Sequence, residues 1–325
     1  MHRIEFPGTG TGARTGTGTG TVSGEISLLT VGDPAVGPGK VLVRVEAVGV
    51  SVALVRMLAQ PSAEPPRPGG ELVGTVVEVG DGVERFRVGD RVGGIAGDIF
   101  GELVACDPAF LTDVPVGIDA GDAVTLVRGG LIALSVLRAG DFQPGRSVLV
   151  TAAASGTGHL VVQLAKAWGA ARITAVLGRE AGPAPKADLA RSSGADEVRC
   201  YDEESWGAPV DLVLDAAGGE MVQRGVNALA AHGRLVAFAA GGGAIDAGTL
   251  LGNLRTVTGF SIGLLSREEP AEIERRRAEL WRLHAEGLLR PAHVDFPFAQ
   301  AADALELVAT RSTPGRVGVR VAAGC

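Results

Sequence analysis

Residues 148–159 read VLVTAAASGTGH, and this stretch decides the fold. The apolar, β-branched run VLVT makes a short buried strand. A run of small residues ends it, and His159–Trp168 follows at once with apolar residues at helical spacing. Small residues in a strand-to-helix turn let backbone approach a pyrophosphate closely. The helix N-terminus then aims unpaired N–H groups and its positive dipole end at the phosphates. Laid on the pattern GxGxxG, Ala153 and Ser155 replace the first two glycines and Gly158 keeps the third. Gly158 reads as the residue that permits tight helix–strand packing. Ser155, Gly156, Thr157 and Gly158 read as the phosphate contacts. A tight turn without a ligand has the same local pattern, so the flanks decide.

Downstream, strands and helices alternate. Strands are expected at Arg172–Leu177, Glu197–Cys200, Val210–Leu214, Arg234–Ala239 and Thr256–Phe260, with helices at Lys186–Ser193 and Met221–Ala230. Apolar strands in βαβ order predict a parallel, doubly wound α/β sheet. A long charged helix (Ser266–Glu286), a strand near His293–Asp295, a helix (Ala299–Thr310) and a strand (Arg316–Val321) complete the chain. The last strands are expected to return to the N-terminal domain. There, Lys40–Val50, Glu71–Val79 and Val88–Val92 are strand-like and separated by Gly, Pro and Asp turns, as in a small barrel. A short strand, His2–Phe6, precedes the low-complexity segment GTGTGARTGTGTG (8–20), read as a surface loop.

The second strand of the α/β region ends in Gly178-Arg179, about 20 residues past the turn, where an acid normally binds the ribose hydroxyls of NAD. Gly178 leaves room for a 2′-phosphate and Arg179 brings positive charge. Lys186 and the lone tyrosine, Tyr201, are placed to close the same pocket. NADPH is therefore the expected cofactor, while an inward Glu180 would favour NADH.

Composition sets the outer bounds. A chain of 325 residues with 46% hydrophobic content is long enough for two domains. Net charge is −7 with the signs mixed, which argues against a nucleic-acid partner. Cys106, Cys200 and Cys325 give neither a disulfide framework nor a metal-binding spacing. No leader pattern and no apolar run of about 18 residues is evident, so a cytoplasmic, membrane-free protein is expected.

The anchors GPGKVLVRVEAVGV (37–50), PGGELVGTVVEVGDGVERFRVGDRV (68–92), QPGRSVLVTAAASGTGHLVVQLAKAWGA (143–170), SSGADEV (192–198), DLVLDAAGG (211–219), HGRLVAF (232–238) and PGRVGVRV (314–321) span nearly the whole chain. Together they resemble the medium-chain dehydrogenase/reductase superfamily, in its zinc-free quinone oxidoreductase and enoyl reductase branch. The resemblance implies a GroES-like β-barrel domain (1–120 and 265–325) and a Rossmann NADPH-binding domain (121–264), with a cleft between them. It places Ser155–Gly158 at the pyrophosphate, and Lys186 and Tyr201 at the adenosine phosphate. It also places Ala239, Phe260 and Ser261 in the turns that flank the nicotinamide.

Zinc-dependent relatives carry their catalytic ligands at positions matching Ser51, Gly70 and Arg128, a set that cannot supply the N and S donors zinc needs. No metal is expected. Relatives often have Asn, Asp, Tyr and Thr where this chain has Ser51, Leu54, Arg56 and Ile132. Candidate catalytic residues are therefore Ser51, Arg56 and Arg128, the arginines stabilising an enolate or holding a substrate anion. The implied reaction is hydride transfer from NADPH to an activated C=C of an enone or enoyl thioester. Alternatives are quinone reduction and a non-catalytic or non-redox NADPH-binding role. A homodimer joined through edge strands near Arg255–Phe260 is also implied. His159 is expected to contact the cofactor or face the cleft rim, and Cys106 to be packing.

Overall fold

The structure, a computed structural model, describes residues 1–6, 26–60, 64–179, 184–238 and 242–321. The segment 8–20, Glu180, Ala239 and Cys325 thus lie outside the described residues. Two compact units are present, Met1–Arg128 with His293–Cys325, and Gly129–Ala292.

The first unit opens with β1 (His2–Glu5), β2 (Ser27–Thr30), β3 (Val41–Val50), α1 (Val52–Leu58), β4 (Gly70–Val79), β5 (Arg91–Ala96), β6 (Leu103–Cys106), β7 (Leu111–Asp113) and α2 (Ala120–Thr125). A single π turn, Leu126–Gly130, carries the chain into the second unit. That unit holds α3 (Leu131–Ala139), β8 (Ser147–Thr151), α4 (Gly158–Ala167), β9 (Arg172–Leu177), α5 (Pro185–Ser192), β10 (Glu197–Cys200), β11 (Val210–Asp215), α6 (Glu220–Asn227) and β12 (Leu229–Ala237). It continues through α7 (Gly248–Leu251), β13 (Thr256–Gly259), α8 (Ile262–Glu268) and α9 (Pro270–Ala285). The chain then returns to the first unit with β14 (His293–Pro297), α10 (Ala301–Ala309) and β15 (Arg316–Arg320).

Strand β3 is apolar along most of its length because it is the centre of a seven-stranded sheet, β14-β15-β3-β4-β5-β7, with β6 also paired to β3. The β3–β4 register shifts twice, between Leu42 and Val43 and between Val45 and Ala47, as at β-bulges. Val41, Val43, Val45, Leu72, Val76 and Val92 fill its core. Phe6 and Phe100 meet edge to face at 5.1 Å.

The second unit is a six-stranded parallel sheet in the order β10-β9-β8-β11-β12-β13. Counted within the unit this is 3-2-1-4-5-6, the doubly wound order, with its reversal between β8 and β11. Strands β8 and β11 are buried on both faces, which explains why their sequences are runs of Val and Leu rather than alternating patterns.

Several expectations shift. Strand β5 starts at Arg91, not Val88, because Arg87–Asp90 closes a turn: the Asp90 N–H donates to the Arg87 carbonyl and Gly89 takes φ +97°. Strand β12 begins at Leu229, five residues early, and α6 ends at Asn227. The charged helix is two helices, since Pro270 begins a new one. The boundaries read at 120/121 and 264/265 fall instead at 128/129 and 292/293. Helix α9 belongs with the α/β unit, buries Ile273, Leu280 and Leu283, and pairs its Glu272 and Glu279 with Arg138 of α3. Ala120–Ala139 is also long and apolar enough to cross a membrane by length and composition, against the expectation from sequence, but 78% of its apolar 18-residue window is buried inside the protein.

The returning strands are locked to α2 by charge. Asp119 caps α2, accepting from the Gly121 N–H at 2.8 Å. His293 faces Asp122 at 3.3 Å through Nε2 and Asp295 at 3.1 Å through Nδ1. Arg320 bridges Asp119 and Asp295 at 2.6 Å each. Hydrogen bonds to Asp122 and Asp295 raise the His293 pKa from 6.5 to about 10. A raised folded-state value stabilises fully below the unfolded value and loses that contribution as pH rises through the folded one. The melting temperature is therefore expected to decline from pH 6.5 toward pH 10, and His293→Gln to flatten that limb. Identical alkaline profiles for the two proteins would refute the role.

Candidate active site

The phosphate turn forms at the reversal of the parallel sheet, where β8 ends and α4 begins. Ala152 sits at φ +50°, turning the chain sharply after Thr151. Ser155 closes the turn twice: its N–H donates to the Ala152 carbonyl at 2.9 Å, and its Oγ accepts from the Gly158 N–H at 3.0 Å. Gly158 packs against the turn so closely that a Cβ there would fall on the Ala152 carbonyl oxygen and 2.9 Å from Ala153 Cα. That close approach is why a glycine stands at the third position of the pattern. Thr151 is fully buried and ties the turn to β11: its Oγ1 donates to Asp215 Oδ1 at 2.7 Å and accepts from the Ala216 N–H at 2.9 Å.

Tyr201 follows β10 and reaches the same turn, its hydroxyl accepting from the Ala152 N–H at 2.8 Å. Arg224 fixes the loop that carries it, donating to the carbonyls of Tyr201 and Glu203 and lying over the Trp206 ring at 4.3 Å. Gly178 follows β9, and a Cβ there would meet nothing closer than Tyr201 Cδ2 at 4.0 Å. Arg179 does not stand open: it is forked onto Asp202 at 2.7 and 3.0 Å, in an exposed pair. Lys186 lies in the first turn of α5. Phe260 follows β13, its N–H donating to the Ala237 carbonyl, while the Ser261 hydroxyl caps α8 by accepting from the Leu264 N–H. Ser155–Gly158, Gly178, Arg179, Phe260 and Ser261 thus all follow carboxyl ends of the parallel strands, where such sheets bind ligands.

His159 corrects an expectation. It is fully buried, and both ring nitrogens are engaged by backbone, so it lines no rim. Cys106 is packing, as read: burial pushes its thiol up to about 12.

In the first unit, Ser51 caps α1, its Oγ accepting from the Leu54 N–H at 3.2 Å. Arg56 is exposed in the last turn of α1, where its charge suits the helix dipole. Arg128 rides on the π turn, a feature often found at functional sites. It donates to Glu71 Oε1 at 2.9 Å, and Arg316 donates to Glu71 Oε2. Glu71 is 3% exposed while Arg128 keeps 37% of its side chain open to water. Burial alone would raise the Glu71 carboxyl, but Arg316 and Arg128 outweigh it and hold it below the ordinary glutamate value. Gly49 makes the triad fit, since a Cβ there would overlap the Arg316 guanidinium. Sequence reading missed Glu71 and Arg316. They are 245 positions apart, and only the adjacency of Glu71 to Gly70 marked the place.

At the three positions that the resemblance matches to zinc ligands, the chain has a helix cap (Ser51), a residue without a side chain (Gly70) and a paired guanidinium (Arg128). Among the described residues, Asp119, Asp122 and His293 bring ligand atoms within 4.8 Å of one another. There the cationic partners are already Arg320 and the His293 imidazolium.

Residues 37–115 match the family model of the alcohol dehydrogenase GroES-like domain, and residues 156–277 that of the zinc-binding dehydrogenases. The chain is 30% identical over 309 residues to a mycocerosic acid synthase-like polyketide synthase of Mycobacterium tuberculosis, covering 86% of itself and 14% of that protein. It therefore spans about a seventh of the length of such relatives. Quinone oxidoreductase-like protein 2 of Mus musculus is 28% identical over 311 residues, with 90% of this chain and 88% of that protein covered. The quinone oxidoreductase from Thermus thermophilus, solved also in complex with NADPH, is 29% identical with a TM-score of 0.77, covering 99% of this chain and 100% of that one. The chain belongs to the medium-chain dehydrogenase/reductase superfamily, and the relatives it resembles include quinone oxidoreductases.

Proposed function

We propose that the protein is an NADPH-dependent, zinc-independent reductase that saturates an activated C=C, as in an enone or enoyl thioester. The observation that carries this reading is the Gly158-packed turn at the reversal of a 3-2-1-4-5-6 sheet. Its small residues and the start of α4 fit a pyrophosphate, which Ser155–Gly158 would hold. Arg179 and Lys186 would hold the 2′-phosphate. Arg179 would leave Asp202 for it at little cost, because an ion pair this exposed is screened by water. Bound NADPH supplies the hydride.

The chain's own contribution is binding and charge. Addition of hydride to the β-carbon leaves an enolate. Arg128, held in orientation by Glu71 and partly open to water, is the residue we assign to stabilise that oxygen. Water then protonates the α-carbon. Relatives that are polyketide synthases favour an acyl thioester substrate, whereas those described as quinone oxidoreductases favour a quinone as the second reading. A second copy would pair along β13. That strand is an edge of the sheet beside the exposed Leu251 and Leu254.

The test is NADPH oxidation followed at fixed cofactor with an enone, a crotonyl thioester and a simple quinone. Turnover of the enone or thioester is expected to exceed that of the quinone. Arg128→Gln is expected to lower kcat by about 100-fold, the scale of losing one oxyanion donor. NADPH binding with no turnover of any of the three would sink the reductase reading and leave a binding protein.

A further inference from the structure

The chain enters and leaves the second unit beside the phosphate turn. At the entry, a Cβ on Gly129 would stand 3.3 Å from the Gly156 carbonyl oxygen and 3.4 Å from Thr157 Oγ1, so bare backbone packs on the turn. At the exit, Gln163 of α4 grips Arg290 from both sides, donating to its carbonyl at 3.0 Å and accepting from its N–H at 2.8 Å. Two residues on, the Ala292 N–H donates to His159 Nε2 at 3.0 Å. The other ring nitrogen, Nδ1, lies 2.7 Å from the carbonyl oxygen of Ser155, the residue that closes the turn.

These partners define the state of the ring. A carbonyl only accepts, so Nδ1 carries the proton; a backbone N–H only donates, so Nε2 is bare. One neutral tautomer satisfies both bonds. With the ring fully buried and committed at both edges, the Ser155 peptide and the Ala292 amide are joined by a rigid bridge.

We propose that His159 is a positioning residue that couples occupancy of the phosphate turn to the chain's exit at Arg290–Ala292. The proposal rests on the NADPH reading of the turn. A pyrophosphate held by Ser155–Gly158 restricts the Ser155 peptide, and the imidazole passes that restriction to Ala292. A histidine that only packs α4 against the exit segment would add stability and give Ala292 no response to NADPH.

Two substitutions separate the arms of the bridge. His159→Asn keeps an amide donor where Nδ1 stands and loses the acceptor for Ala292. His159→Gln keeps an acceptor where Nε2 stands and loses the donor to Ser155. The readout is amide hydrogen exchange at Ala292 in the full chain, with and without NADPH, alongside an NADPH titration. In the unaltered protein NADPH is expected to slow exchange at Ala292 by about tenfold. In His159→Gln the amide stays protected but no longer responds to NADPH, and in His159→Asn it exchanges fast in both states. A further measurement uses a nitrogen-15 histidine spectrum: the imidazole whose signal is lost in His159→Gln, with a protonated Nδ1 and a bare Nε2, should shift its Nε2 resonance on NADPH addition. NADPH binding with no change at Ala292, with equal responses in all three proteins, or with no shift of that imidazole overturns the coupling alone. Failure of the unaltered protein to bind NADPH overturns the cofactor reading and the coupling with it.

Discussion

Replacing Gly158 by alanine is expected to weaken NADPH binding at least tenfold (about 1.4 kcal/mol) and to destabilise the second unit. The added methyl would sit on the Ala152 carbonyl oxygen and against Ala153 Cα, both backbone atoms that cannot swing aside as a side chain can. Relief requires the start of α4 to move away from β8. That movement opens the Ser155–Gly158 bond and displaces the N–H groups meant for the pyrophosphate. Overpacking of this kind costs about 1–3 kcal/mol. Fluorescence titration of NADPH and a thermal melt report the two effects separately. Ser155→Gly is the informative companion, because it removes the cap while restoring a glycine of the usual pattern. Its NADPH affinity should change far less than that of Gly158→Ala. Unaltered binding by Gly158→Ala would refute the assignment of this turn.

Substituting Glu71 by glutamine is expected to be the more damaging change to stability. Arg128 and Arg316 converge on a carboxylate that is almost wholly buried, and the amide would leave both without a counter-charge. Breaking a buried pair from one side costs about 3–5 kcal/mol. Arg128 is partly open to water, which places the expected loss near the lower end, at about 3 kcal/mol. A drop of roughly 6–12 °C in the melting temperature corresponds to it.

The acid limb carries a second signature. The folded-state pKa of Glu71 is held below 4.5, so the stability it contributes is complete above that value. It is lost as pH falls below 4.5 through the folded value. The unaltered protein should therefore lose melting temperature more steeply below pH 4.5 than Glu71→Gln. Parallel acid limbs would show that the triad contributes no net stability.

The α/β unit was legible because its signals are local. VLVT, RITAVL and VDLVLD are strands buried on both faces, and burial on both faces demands continuous apolar runs wherever they lie in the chain. Gly158 was legible for the same reason: the residue it must approach is six positions away. The role of Arg179 was only half legible. Its charge and position beside Gly178 are in the sequence, while its pairing with Asp202 depends on β9 and β10 lying side by side.

The turn opened by VLVTAAASGTGH, the parallel order of the sheet and the two-domain plan were therefore determined by the sequence itself, through hydrophobic period, small residues and close-packed glycine. Tertiary structure alone decided what the charged and titratable residues do. Glu71 meets Arg316 only when β15 is laid against β3 beside β4, and His159 meets Ala292 only when the exit segment crosses α4. Burial drives the first kind of decision and is written residue by residue. The second kind turns on which distant group is within about 3 Å in a low-dielectric interior, where a partner is decisive and its absence costly.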